Sequence, residues 1–359
     1  MKIAHLVSHS FINGVATSVR SLIEAQLAAG HDVMLISRAG SWVAEQAYCR
    51  PVTLIESPLT STPGEFHRVR RILLDWKSEV AHCHGSSANK YGMALRLSSR
   101  MPVVMTAHTR QLQIPWRFAH AVIGLSRDTA DYYANRLMVA RENIHLVPNL
   151  FDATDLRPVT APDRSAARRL LRLRPEAFVV GTVGEVSHRK NQVEALRVLR
   201  RLVEMGVDAE LLLIGPGVDE AHQLPGWLTV VGDKSVTGRL HMTGHRFDAT
   251  DLLAAMDVFL MTSRNEQAPV APLEAMARAL PVLSTRVGNM ARLLPATQLF
   301  ELNDTEAVAT ALSKLLDPAE RERLGAAGRD KVASSLSPAK ILPEILDVYR
   351  AAARRAGAL

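Results

Sequence analysis

Apolar positions along this chain gather into short uninterrupted runs, and the segments between the runs carry apolar residues three and four apart. Runs at 3–8, 32–37, 52–56, 80–84, 102–108, 121–126 and 144–149 predict β-strands, being too short and too uniformly apolar for surface helices. Between them, segments such as 15–30, closed by Gly30, predict amphipathic helices. A basic, turn-rich stretch at 151–169 has two prolines and no strand pattern, and predicts a connection followed by the first helix of a second domain. The alternation then restarts, with strands predicted at 178–184, 209–215, 228–232, 240–244, 257–261, 281–285 and 298–302. Strands alternating with helices make parallel, doubly wound sheets. The expected fold class is therefore α/β: two Rossmann-like domains over 1–155 and 156–336, and a terminal helix over 337–359.

Composition narrows the function more than the fold. The 359 residues suit about two domains, and the 47% hydrophobic content fills two cores. No segment reaches the roughly 18 consecutive apolar residues of a membrane span. The opening MKIAHLVSHS, with its short apolar run broken by His5 and His9, reads as a first strand and not as a secretory signal. Two cysteines, Cys49 and Cys83, provide neither a disulfide framework nor metal-ligand spacing, which fits a reducing cytoplasm. The net charge of +7 calls for an anionic partner. Between Phe66 and Arg127 ten Lys and Arg residues stand against only Asp75 and Glu79. No basic block alternates with aromatics and no zinc-finger or helix-turn-helix signature occurs, so nucleic acid is not an expected partner. An anionic inner-membrane face or a phosphorylated acceptor is expected there, beside the plainer reading of a solvated arginine-rich surface.

The chemistry concentrates in 257–288. DVFLM predicts a buried strand, a loop with Glu266 follows, and Glu274 stands near the start of a helix whose first turn accommodates Pro269 and Pro272. That helix is expected to run through 274–280 and to stop at Pro281. In a βαβ unit the ligand crevice lies at the carboxyl ends of the strands, where free helix N–H groups attract phosphate and carboxylates bind sugar hydroxyls. SRNE followed by LEAMA resembles the Glu-x7-Glu signature of retaining glycosyltransferases of family 4, which have the GT-B fold. The resemblance implies two facing domains, with the last helix crossing back to the first.

It also implies roles. Lys190, in GEVSHRKNQ, matches the lysine that neutralises the donor diphosphate, and Arg189 or His188 is expected to replace the family's arginine where this chain has Glu185. Glu266 is expected on the donor sugar and Glu274, kept ionised by the helix start, on the ribose. Gly14, Gly215, Gly244, Gln267, Ala268 and Val270 complete the expected donor set, the glycines giving backbone access. His108, ending a strand in TAHT, matches the histidine that contacts the transferred sugar. His84, in HCHG, is expected on the acceptor, and His82 as a structural residue. VPNLFD resembles the family's hinge segment, with Asn149 as a brace. EQAP replaces the family's Glu-Gly-Phe-Gly, which predicts different contacts to the sugar's 3- and 4-hydroxyls. No Asp-x-Asp motif occurs, so no metal and no cofactor are expected beyond the nucleoside-diphosphate sugar itself, with UDP favoured over GDP. Two other readings stand beside this one: an enzyme of the UDP-sugar 2-epimerase kind, and a fold member that binds a nucleotide sugar without turnover.

Overall fold

A computed structural model describes residues 1–110, 113–136 and 139–358, and the chain divides into two compact units, Met1–Asp152 with Ser335–Leu359, and Ala153–Ser334. The first holds β1 (Lys2–Val7), β2 (Asp32–Ser37), β3 (Thr53–Glu56), β4 (Val80–His84), β5 (Val103–Ala107), β6 (Ala121–Gly124) and β7 (Ile144–Leu146). They form one parallel sheet in the order β3-β2-β1-β4-β5-β6-β7. The second unit holds β8 (Phe178–Val183), β9 (Ala209–Ile214), β10 (Leu240–Met242), β11 (Val258–Met261), β12 (Val282–Thr285) and β13 (Leu299–Phe300), ordered β10-β9-β8-β11-β12-β13 and again parallel. Strand order reverses between β1 and β4 in one sheet and between β8 and β11 in the other. The loops leaving those strand pairs diverge to opposite faces and open a crevice at their carboxyl ends.

Covered by helices on both faces, the central strands are buried along nearly their whole length, which is why they read as unbroken apolar runs. The helix Gln192–Glu204 buries Val193, Leu196, Leu199 and Leu202 along one stripe, each contributing about 1.5–3 kcal/mol of burial. The helix Ala161–Leu171 is anchored by charge: Arg168 Nη2 meets Asp257 Oδ2 at 2.7 Å, and that oxygen also accepts from the Val179 N–H at 2.8 Å. The terminal helix Pro338–Ala356 belongs to the first unit, where Ile341, Ile345, Val348, Tyr349 and Ala352 bury against β4, β5, β6 and the first helix, Gly14–Ala28.

Two local expectations are corrected. The segment expected as a strand at 228–232 is a short helix, Trp227–Val231, entered through the left-handed Gly226 (φ 82°). Trp227 and Val230 bury one turn apart while Leu228 stays exposed, and β10 already takes the sheet edge beside β9. The helix expected at 274–280 spans Ala271–Ala277, with Pro272 in its first turn. Its end is set before Pro281, at Ala279, whose φ is 59°, and Arg329 Nη1 donates to the Ala277 carbonyl left without a helical partner.

Candidate active site

In the second unit the carboxyl-end loops are tied to one another through backbone groups. Gly184 N–H donates to Ile214 O at 2.8 Å, Val186 N–H to Pro216 O at 2.8 Å, and Gly215 N–H to Gly244 O at 2.9 Å. Arg264 N–H donates to Arg189 O at 2.8 Å, and Asn289 N–H to Gln267 O at 3.0 Å. Glycine is required at the closest approaches. A Cβ on Gly215 (φ 149°) would stand 2.2 Å from Gly184 O, and one on Gly288 (φ 54°) 2.5 Å from Gln267 O. On Gly184 (φ 143°) it would lie 3.0 Å from Lys190 Cε, so that glycine leaves the lysine its space.

The loops at the reversal of strand order bring the expected charges together. Thr262, directly after β11, donates its hydroxyl to Lys190 O at 3.1 Å and Asn191 O at 2.9 Å. Asn191 returns a bond from Nδ2 to Thr262 O at 3.2 Å. On this frame Lys190 Nζ stands 2.8 Å and Arg189 Nη1 2.6 Å from the same oxygen, Glu266 Oε1. Ser263 Oγ adds a hydrogen bond to it at 3.3 Å. Two cations on one carboxylate leave a net positive charge, and the pairing is only partly in solvent, with Lys190 at 17% and Glu266 at 10% side-chain exposure. Such a cluster attracts an anionic group with less loss to the dielectric than fully exposed charges would suffer.

Glu274 corrects an expectation. It sits half-buried in the Ala271–Ala277 helix, and burial pushes its carboxyl up to about 7, opposed only by the Thr250 hydroxyl. The short helix start does not hold the carboxyl in its usual range, because desolvation outweighs the dipole of a single turn. Gln267 is buried and donates from Nε2 to Asn265 Oδ1 at 3.0 Å, while Ala268 and Val270 are partly exposed in the same loop. Glu185, where the family's arginine is expected, points no carboxylate at any described partner and is exposed. Sequence reasoning missed Asn289. Its side chain is 5% exposed and neither Oδ1 nor Nδ2 has a hydrogen-bond partner, beside a loop that carries the expected sugar contacts. The signal was available in GNMAR, where an amide directly follows Gly288, whose close approach to Gln267 O brings this loop against the one that carries Gln267.

The first unit gathers histidines. His5, His82 and His84 are at most 1% exposed, and His108 is partly exposed just past β5. His84 Nδ1 lies 3.1 Å from His108 Nε2, and His84 Nε2 lies 3.0 Å from His5 Nδ1. His84 is thereby corrected: with both ring nitrogens occupied and the ring enclosed, it holds other histidines and has no atom left for an acceptor. His82 is structural as expected, its ring centroid 4.1 Å from that of His84 on the same face of β4. Burial drives these rings toward the neutral form, His5 down to about 4 and His108 to about 3, with His82 and His84 also well below the usual range. His5, His82 and His84 are near enough to hold a cation, but all six of their nitrogens already have hydrogen-bond partners. Gly14 opens the first helix, and Asn13 caps it by accepting from the Val15 and Ala16 N–H groups at 3.0 Å. The glycine that allows a close approach here is Gly85 (φ 95°), where a Cβ would meet Ser8 Oγ at 2.4 Å.

Both halves of the chain match known families. Residues 12–155 match Glycosyltransferase Family 4, and residues 177–318 match Glycosyl transferases group 1. An Escherichia coli relative, UDP-Gal:alpha-D-GlcNAc-diphosphoundecaprenol alpha-1,3-galactosyltransferase, is 24% identical over 84% of this chain and 81% of its own length. A Corynebacterium glutamicum GDP-mannose-dependent mannosyltransferase of a phosphatidylinositol monomannoside is 30% identical over 53% of this chain and 52% of its own. In fold, the chain resembles Anabaena HepE in complex with UDP and glucose, with TM-score 0.79 at 18% identity, covering 98% of this chain and 99% of that one. It also resembles a Thermosynechococcus elongatus sucrose-phosphate synthase, with TM-score 0.75 at 20% identity and 98% of each chain covered. With two Rossmann-like units, a terminal helix packed on the first, and both halves matched, the chain belongs to the family 4, group 1 glycosyltransferases of the GT-B fold.

Proposed function

We propose that this glycosyltransferase moves a hexosyl group from a nucleoside-diphosphate sugar, UDP before GDP, to a hydroxyl of a lipid-linked or cell-surface glycan, with retention and without a metal. The observation that carries this reading is the convergence of Lys190 and Arg189 on Glu266 at the reversal point of the second sheet. In the reaction the bond from the anomeric carbon to the diphosphate oxygen breaks, and the bond to the acceptor oxygen forms on the same face. The acceptor proton passes to the departing diphosphate. Lys190 and Arg189 meet the charge that grows on that leaving group, which is where electrostatic stabilisation has most effect. Glu266 holds hydroxyls of the donor sugar, Glu274 those of the ribose, and His108 the transferred sugar from the first unit. Gln267 and the enclosed amide of Asn289 tune the sugar contacts.

UDP is favoured because a relative matched over 84% of this chain is a UDP-galactose enzyme and HepE was seen with UDP and glucose. Metal independence is supported by the sequence, which has no Asp-x-Asp motif, and by Lys190 and Arg189, which offer two cations where the diphosphate is expected. The lipid-side acceptor is supported by exposed Arg71, Lys90, Arg96, Arg100 and Arg117, with Leu97 and Ile114 also exposed among them. Among the described residues no helix is long and apolar enough to cross a membrane.

The test is a donor screen in EDTA, with UDP-galactose, UDP-glucose, UDP-N-acetylglucosamine and GDP-mannose, with and without a polyprenyl-diphosphate N-acetylglucosamine acceptor. Turnover of a UDP-sugar with an α-linked product is expected, and Lys190→Ala should lower kcat/KM by about 100-fold or more. A nucleoside diphosphate that raises Tm while no donor is hydrolysed or transferred would instead make the chain a binder.

A further inference from the structure

We propose that His84, His5, Gln26 and Tyr349 are positioning residues: they end a one-way hydrogen-bonded chain on His108, hold its Nε2–H inward, and present its Nδ1 as a bare acceptor to a substrate hydroxyl. Seven side chains from the first unit are joined in sequence. His108 Nε2 lies 3.1 Å from His84 Nδ1, His84 Nε2 3.0 Å from His5 Nδ1, and His5 Nε2 2.8 Å from Gln26 Oε1. On the far side Gln26 Nε2 lies 3.0 Å from the Tyr349 hydroxyl, which lies 2.8 Å from His82 Nδ1. His82 Nε2 ends the series 2.7 Å from Thr106 Oγ1.

Direction follows from the amide. A neutral imidazole has one N–H donor and one acceptor nitrogen, and an amide has one end of each kind. The Gln26 carbonyl can only accept, so His5 donates to it from Nε2 and must accept at Nδ1. That acceptor takes the Nε2–H of His84, whose Nδ1 in turn takes the Nε2–H of His108. The Gln26 amide N–H donates to Tyr349, whose hydroxyl donates to His82 Nδ1, leaving the His82 Nε2–H for Thr106. All four rings are thus the same tautomer. A proton added to His5 or His84 would set two donors against each other inside the protein, and one added to His82 would take away the acceptor of the Tyr349 O–H, where an unmade hydrogen bond costs most. His108 Nδ1 is left over, and it bonds to no described residue. Turning the Gln26 amide round would reverse every link and make that atom a donor, so the orientation of the Gln26 amide, carbonyl toward His5 and N–H toward Tyr349, decides what His108 offers. Tyr349 closes the series from the terminal helix, which gives that helix a chemical role in the first unit beyond packing.

The proposal rests on the reading of His108 as a sugar contact, but its first test does not. In the full chain labelled with 15N-histidine, long-range proton–nitrogen correlation at pH 7.5 should show the rings of 5, 82, 84 and 108 as neutral Nε2–H tautomers, each assigned by a single substitution. An Nδ1–H tautomer or an imidazolium at any of the four, or stoichiometric zinc uptake by His5, His82 and His84, overturns it. Gln26→Met removes both amide ends at similar volume, and Tyr349→Phe removes only the hydroxyl. Each should mix the His108 tautomers and lower kcat/KM for transfer roughly tenfold, with UDP affinity unchanged, as expected of a group that orients a ligand-contacting residue. Folded variants that keep the single tautomer, or keep activity within about twofold, refute the positioning role. If His108→Ala transfers sugar like the wild type while the four tautomers stand, the sugar-contact reading falls and the chain of bonds does not.

Discussion

Lys190 and Glu274 show how one physical comparison decides the state of a side chain. Lys190 has a carboxylate 2.8 Å away in partial solvent and is paired with it. Glu274 has no cation among its perturbing neighbours, and moving a carboxyl from 4.5 to about 7 corresponds to roughly 3 kcal/mol in favour of the neutral form. A helix start provides at most about 2 kcal/mol the other way. The residue therefore changes charge near neutral pH, and it can donate as well as accept a hydrogen bond to a ribose hydroxyl. Glu274→Gln, which imitates the protonated acid, should keep the donor KM within about threefold of wild type at pH 6 and diverge from it at pH 8.5. Glu274→Ala should raise KM about tenfold at both values. A pH series of KM checks this, and a Gln variant as weak as Ala at pH 6 contradicts it. The glutamate itself was visible in the sequence through its spacing from Glu266; its protonation was not, because burial depends on neighbours such as Thr250 that are distant in the chain.

At the scale of elements, nearly every strand could be read from its apolar run, since a strand covered on both faces has no polar alternation to obscure it. The segment 228–232 failed because a five-residue apolar run fits a buried helical turn equally well. What the runs did not disclose is how tightly their carboxyl-end loops approach. Gly215 and Gly206 both have positive φ, 149° and 81°, yet only Gly215 has a carbonyl where a Cβ would go. Gly206→Ala should cost about 1 kcal/mol, the strain of the backbone alone. Gly215→Ala should cost about 3 kcal/mol or more and lower donor affinity, because the 184–191 loop must move aside. Urea unfolding followed by Trp227 in the second unit reads both, and equal losses would contradict the packing argument.

For the molecule as a whole, the buried histidines set a pH limit. Each has its folded pKa below the unfolded 6.5, so the unfolded chain binds more protons in acid. Stability from these groups is complete above about 6.5 and falls as pH drops from there toward the folded values near 4 and 3. The slope is about 1.4 kcal/mol per pH unit for each histidine, or roughly 5 kcal/mol per unit if all four remain neutral. Between pH 7.5 and 5.5 the first unit should therefore lose most of its stability while the second loses less. Trp42, Trp76 and Trp116 report on the first unit and Trp227 on the second, so fluorescence of a Trp227→Phe variant isolates the former. A loss below about 1 kcal/mol over that range would mean that the rings are not neutral in the folded state.

The order of strands and helices, the two-unit plan and the loop positions of Lys190 and Glu266 are local matters, carried by periodicity and by residue types at fixed spacing. Which side chains share an atom is not local: Arg189 and Lys190 meet Glu266 only because β8 and β11 are neighbours across a reversal of strand order, some seventy residues apart in the chain. The same holds for His84, which its position at a strand end presented as a contact for ligand. Packing from β1, the first helix and the terminal helix encloses it, since hydrogen-bond capacity, once buried, must be used within the protein.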